Sequence, residues 1–173
     1  MPRFGFKEID SSNWLEPDFI MRVFVRLDPQ AGPTQMEGKD WVEAIMAPAL
    51  IKEVPEDVQA LYEVARGAMV YGFLFYPLYT VGAEQLFRVS EAAIAHKCTL
   101  MDAPKSVKKL ARRINWLNEH GTIPNAQLPR WHATRELRNL ASHPERQTIM
   151  TPGNAVGFVE RTAELINALF GAA

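Results

Sequence analysis

Apolar positions along this chain recur mostly at helical spacing, and the pattern divides into successive stripes. Between Pro55 and Tyr76, the residues Val58, Leu61, Tyr62, Ala65 and Met69 fall on one helical face, and Pro55 suits the first turn. Pro77 is expected to break or kink that helix before a second one over Leu78 to Lys97. Val107, Leu110, Ala111, Ile114 and Leu117 form the next stripe, with Lys108, Lys109, Arg112 and Arg113 off it. This helix is predicted to begin near Pro104 and to stop at Gly121. A further helix is predicted from near Pro129 to near Ser142, with Trp131, Leu137 and Leu140 as its packing residues. Thr151 and Pro152 then introduce a last helix whose buried stripe is Val156, Val159, Ala163, Ile166 and Phe170.

The N-terminal third is less regular. Met21, Val23, Val25 and Leu27 alternate like a strand, whereas Ile20, Val23, Phe24 and Leu27 fit a helix, so Phe19 to Leu27 is compatible with either. Asp28 to Lys39 holds Pro29, Gly32, Pro33 and Gly38 and reads as loop. The fold class is therefore all-α, a helical bundle. One domain is expected over residues 1–173, with residues 1–54 as an N-terminal extension whose structure the pattern leaves open and residues 55–173 as the helical core.

Composition supports a single core: 173 residues, 47% hydrophobic and 23% charged, suffice for one domain. Gly67 to Ala83 contains no charged residue, but Gly72 and Pro77 interrupt it and Arg66 and Glu84 bound it, so it reads as core and no membrane span is expected. Cys98 is the only cysteine, which rules out an intramolecular disulfide, and Met1 to Asp10 lacks the apolar run of an export signal. A cytoplasmic location is expected on both grounds.

Net charge is −1, but it is unevenly spread. Residues 101–150 hold nine Lys and Arg against four acids, a surplus of five, which leaves −6 on the remainder. The basic segment contains the run Arg138-Asn139-Leu140-Ala141-Ser142-His143. A histidine titrates near neutral pH and can move a proton, and a guanidinium forks onto two phosphate oxygens, so this grouping suits RNA cleavage without a metal. On an ideal helix Asn139 and His143 share a face, whereas Arg138 and His143 are about 140° apart. Pro144 biases His143 away from the α region, so the helix is expected to end there and release the imidazole. The negative end of the helix dipole then favours the protonated ring. Dimerisation about a two-fold axis offers a second route to convergence.

The run resembles the signature of the HEPN superfamily, the all-helical domains of toxin ribonucleases and RNA-guided RNA nucleases, in which an Arg is followed after four to six residues by a His and often directly by Asn. Arg138, Asn139 and His143 match at the four-residue spacing. The upstream segment Glu84 to Glu91 is similar to the polar-studded helix that packs beside the motif helix in that family, which makes Arg88 and Glu91 neighbours of the site; as residues they read as a structural i, i+3 salt bridge. The resemblance covers Leu78 to Phe170. It implies a metal-independent endoribonuclease for single-stranded RNA in which the ribose 2′-hydroxyl attacks the adjacent phosphate, His143 transfers protons, Arg138 stabilises the developing charge and Asn139 orients one of them.

Lys108, Lys109, Arg112, Arg113 and Arg135 are the residues expected to hold the RNA backbone. The partners expected are RNA, a second copy of the chain, and an antitoxin or regulatory protein. Two other readings stand beside this one: a non-catalytic HEPN-like module that binds nucleotide or RNA or scaffolds a partner, and a helical interaction protein in which the motif is coincidence. An open basic cleft favours the first two readings; a buried or acid-paired Arg138 favours the last. There is no Gly-rich phosphate loop, dinucleotide fingerprint or zinc-like Cys/His spacing, so no cofactor or metal is expected, and His96, His120 and His132 read as surface or packing residues.

Overall fold

The computed structural model describes residues 5–28, 30–141 and 150–171. It is predominantly helical, with one small hairpin near the N-terminus. A short 3-10 turn, Phe19–Val23, leads into β1 (Val25–Asp28), which pairs antiparallel with β2 (Gly32–Gln35) in the register Val25 to Gln35. Both readings of Phe19 to Leu27 are thus partly realised, one after the other. The stretch read as loop, Asp28 to Lys39, contains β2 and the start of α1 (Gly38–Met46). That nine-residue helix carries only a short apolar stripe, Trp41 and Ile45, four residues apart and buried, and its entry is marked: the Glu37 N–H donates to the Asp40 carboxylate at 3.0 Å.

The centre of the bundle is an antiparallel pair, α2 (Glu56–Tyr71) and α3 (Leu78–Leu100). They approach closely because Gly82 has no side chain: a Cβ there would lie 2.4 Å from Met69 Cγ and 3.0 Å from the Ala65 carbonyl oxygen. α2 ends at Tyr71, earlier than the predicted Tyr76, because Gly72 lies under the Tyr79 ring and the chain turns there. The uncharged stretch from Gly67 to Ala83 is this turn with its flanking helix ends, and no helix among the described residues is long and apolar enough to cross a membrane.

α3 also touches α4 (Leu110–Glu119), α5 (Leu128–Ala141) and α6 (Pro152–Phe170), while α6 reaches back to α1. α6 opens on Thr151, whose side chain accepts the Asn154 N–H at 3.3 Å, and buries Ala155, Phe158, Val159, Ala163, Ile166 and Phe170. α4 begins at Leu110 and not near Pro104. The Val107 N–H closes a turn on the Pro104 carbonyl, and Lys109 is an extended N-cap with φ −74° and ψ 140°, which removes Val107, Lys108 and Lys109 from the helix.

Residues ahead of α2 belong to the same core. Met21, Trp41, Ile45 and Val54 are buried with the helical residues, and Asp18 is fully buried against the α2–α3 turn. Its carboxylate accepts N–H bonds from Tyr76 (3.0 Å), Ile20 (3.2 Å) and Lys7 (3.3 Å), while its own N–H donates to the Phe73 carbonyl at 2.9 Å. The Lys7 ammonium, also buried, donates to the carbonyls of Glu16 (2.6 Å) and Asn13 (3.1 Å).

Candidate active site

The site is built on α5, which starts after the Pro124–Gln127 turn and is anchored by the buried indole of Trp131. α5 packs on α4 and α3, and on the side toward α6 its C-terminal half leaves a groove. Leu137 and Leu140 are consequently exposed, at 50% and 42%, which corrects the expectation that they are core residues. They line an apolar groove of about 250 Å³ between α5, α3 and α6, floored by Phe87 and Phe158 and rimmed by Glu84 and Arg161. On the other side of α5 a narrow crevice of about 10 Å³, room for one water, lies between Arg138, Arg135 and Trp131 of α5, Ser90 and Glu91 of α3, and Leu110 of α4.

Arg138 sits in the last turn of α5. Its Nη2 donates to Glu91 Oε2 at 3.3 Å, with the arginine side chain 46% and the glutamate 39% exposed. The α3 segment flagged by the sequence therefore does lie beside the motif helix, but the ion pair expected between Arg88 and Glu91 is replaced: Glu91 reaches across to α5, and Arg88 is exposed. Both pairings suit a glutamate at that position, and the α3–α5 approach makes the cross-helix one available. Asn139 is exposed on the next position round α5. His143 lies outside the described residues, so the structure speaks to the arginine and amide of the motif and not to its histidine.

The basic residues do not act as one face. Lys108, Lys109 and Arg112 are exposed at the start of α4. Arg113 is half-buried and turned inward, its Nε donating to the Val107 carbonyl at 3.3 Å, where it ties down the turn before α4. Arg135 is similarly engaged: it is only 29% exposed, pairs with Glu136, and has its Nε buried in the crevice wall. Neither is positioned as a free phosphate clamp. Elsewhere, Cys98 is buried, and burial pushes its thiol above the usual range. Among the described residues no group of three or more His, Cys, Asp or Glu is arranged to hold a metal ion.

The three other histidines all have partners. His96 Nε2 lies 2.6 Å from Asp57 Oδ2, linking α3 to α2, and His132 Nε2 lies 2.9 Å from Asn115 Oδ1, linking α5 to α4. His120 stacks on Trp116 with ring centroids 4.0 Å apart and 27° between planes. The i, i+4 spacing of Trp116 and His120 was the available signal for that stack. Comparison with protein-family models, with curated proteins and with solved structures finds no match to this chain.

Proposed function

We propose that this protein is a metal-independent, HEPN-like endoribonuclease that cuts single-stranded RNA as a homodimer. The observation that carries the reading is the placement of Arg138: half-exposed beside a crevice, one residue before Asn139, and 3.3 Å from the Glu91 carboxylate. Such an exposed pair contributes about 0–1 kcal/mol, so it aims the guanidinium without locking it away from a phosphate. Lys108, Lys109 and Arg112 at the neighbouring start of α4 supply the positive approach that an RNA backbone requires.

The chemistry follows from these groups. The ribose 2′-oxygen bonds to the adjacent phosphorus while the bond from phosphorus to the 5′-oxygen breaks, leaving a 2′,3′-cyclic phosphate and a 5′-hydroxyl. His143 takes the 2′-hydroxyl proton and returns one to the leaving oxygen, Arg138 stabilises the charge gathering on the phosphoryl oxygens, and Asn139 orients a neighbour. A second copy brings two motifs to one cleft, which meets the poor convergence of Arg138 and His143 on a single helix.

The same ion pair favours a reading without catalysis. An arginine occupied by a carboxylate is what a helical interaction protein with a coincidental motif produces, and the apolar groove beside it suits a protein partner, while the exposed cations at the start of α4 suit a non-catalytic module that binds RNA. Cleavage of single-stranded RNA in the presence of a chelator, measured with light scattering on the same samples, separates the two. The ribonuclease reading expects a dimer that cuts, loss of cutting in His143→Ala, and a loss of roughly a hundredfold or more in Arg138→Ala. Equal cleavage by the wild type and His143→Ala refutes the catalytic assignment. Intact RNA together with binding that weakens steeply with salt leaves the binding module.

A further inference from the structure

Along α4, one surface alternates positive charge with aromatic rings. Arg112 and Trp116, four residues apart, share the side of α4 opposite the buried Ile114; Lys109 is the extended residue just ahead of the helix, and His120, the residue after its end, stacks back on Trp116. Lys109 and Arg112 are exposed, Trp116 is half-buried against the core, and His120 is exposed. The His120 ring lies on the indole at 4.0 Å, and its Nδ1 is 2.7 Å from the Trp116 carbonyl oxygen. A carbonyl only accepts, so Nδ1 carries the hydrogen, and the ring is pinned at two points with one face on the indole and the other toward solvent. The N-terminal end of this surface adjoins the candidate site, because Leu110 lines the same crevice as Arg138.

We propose that this surface of α4 is a single-stranded RNA track, in which Lys109 and Arg112 hold phosphates and the Trp116–His120 stack is a platform for an unpaired base. The inference rests on the RNA-directed reading above and adds the element that contacts bases. Rigid aromatic surface beside cations is what sequence-tolerant recognition of unpaired RNA requires, since every base has a π-face and every nucleotide a phosphate. The cations alone would not distinguish RNA from any other polyanion; the aromatic platform does. The pinned ring presents its face without first having to be ordered, which removes part of the entropic cost of capture.

The test measures binding of the full-length protein to a short oligouridylate whose riboses are 2′-O-methylated, so that 2′-hydroxyl attack is blocked, and to inorganic polyphosphate, which has charge but no bases. His120→Ala is expected to weaken oligouridylate binding roughly tenfold and to leave polyphosphate binding unchanged. His120→Phe, which restores a ring, is expected to bind oligouridylate nearly as the wild type does. Lys109→Glu with Arg112→Glu is expected to weaken both ligands. Circular dichroism of each variant reports the fold, and the exposed position of His120 makes both substitutions compatible with it. Wild-type affinity in His120→Ala, an equal loss of both ligands in that variant, or no binding of oligouridylate by the wild type overturns the proposal. Cleavage of unmodified RNA is read separately. A protein that cuts but is indifferent to His120 keeps the ribonuclease and loses the track; one that binds through His120 but does not cut keeps the track and loses catalysis.

Discussion

Glu91 on α3 and Arg138 on α5 meet across the helix interface, a carboxylate oxygen 3.3 Å from a guanidinium nitrogen, with both side chains still well exposed to solvent. That exposure decides what the pair can be. Solvent screening holds its contribution to about 0–1 kcal/mol, too little to organise the fold and enough to bias where the guanidinium points.

Glu91→Gln should therefore shift the unfolding free energy by less than about 1 kcal/mol, and a double-mutant cycle with Arg138→Ala should give a coupling of the same small size. RNA affinity should rise in Glu91→Gln, because a carboxylate that repels phosphate and competes for the guanidinium is gone. Denaturant titration and filter binding check the two halves. A coupling well above about 2 kcal/mol would mark the pair as structural and count against an accessible Arg138.

Asp18 joins the N-terminal segment to the α2–α3 turn through three backbone N–H donors in a fully buried position. Asp18→Ala leaves those donors without an acceptor and should lose about 3 kcal/mol or more of stability. Hydrogen exchange at the Lys7, Ile20 and Tyr76 amides should accelerate in the variant. A loss under about 0.5 kcal/mol would mean that the segment contributes little to the bundle.

Two glycines in the central helix pair should respond in opposite directions. At Gly82 a Cβ would meet Met69 Cγ at 2.4 Å and the Ala65 backbone oxygen at 3.0 Å, so Gly82→Val should overpack the crossing and destabilise by about 3 kcal/mol. Gly67, within α2, has nothing within 4 Å of that position, so Gly67→Ala should stabilise by roughly 0.5–1 kcal/mol through helix propensity. Thermal unfolding of both variants checks the signs; a Gly82→Val protein as stable as the wild type would mean that the helices are not packed as closely as described.

The hydrogen bond from His96 holds the Asp57 carboxyl below its usual value of 3.8. A carboxyl whose folded value is depressed contributes stability that is present above the unfolded value and disappears as pH falls through the folded one. The stability difference between wild type and Asp57→Asn should accordingly be present at about pH 5 and shrink as pH falls below about 4. Denaturant midpoints across that range test it, and a difference that persists unchanged to pH 2 would remove His96 as the cause.

Helical periodicity, and with it the all-α bundle, was legible in the chain by itself. The stripes of α2 and α6 are legible from apolar spacing because a residue facing a core must be apolar whatever it faces, α3 is marked by the proline before it, and Thr151 and Pro152 mark the start of α6 by local chemistry alone. The arginine and amide of the candidate site, and the helix that carries them, were likewise legible as a run of residue types. Tertiary structure decided everything that depends on which surface meets which. Val107 has the right spacing for α4 but lies in a turn, because the backbone at Lys109 is extended. Leu137 and Leu140 have the right spacing for a core and instead border a groove, because α5 packs mainly on α4 and α3 and leaves a gap toward α6 at its C-terminal end. Arg113 and Arg135 count as cations in the composition, yet the turn before α4 and the crevice wall absorb them. Glu91 had an i, i+3 partner in sequence and found one 47 residues away. Local pairings and distant ones have similar energies, so only the close approach of α3 and α5 selects between them.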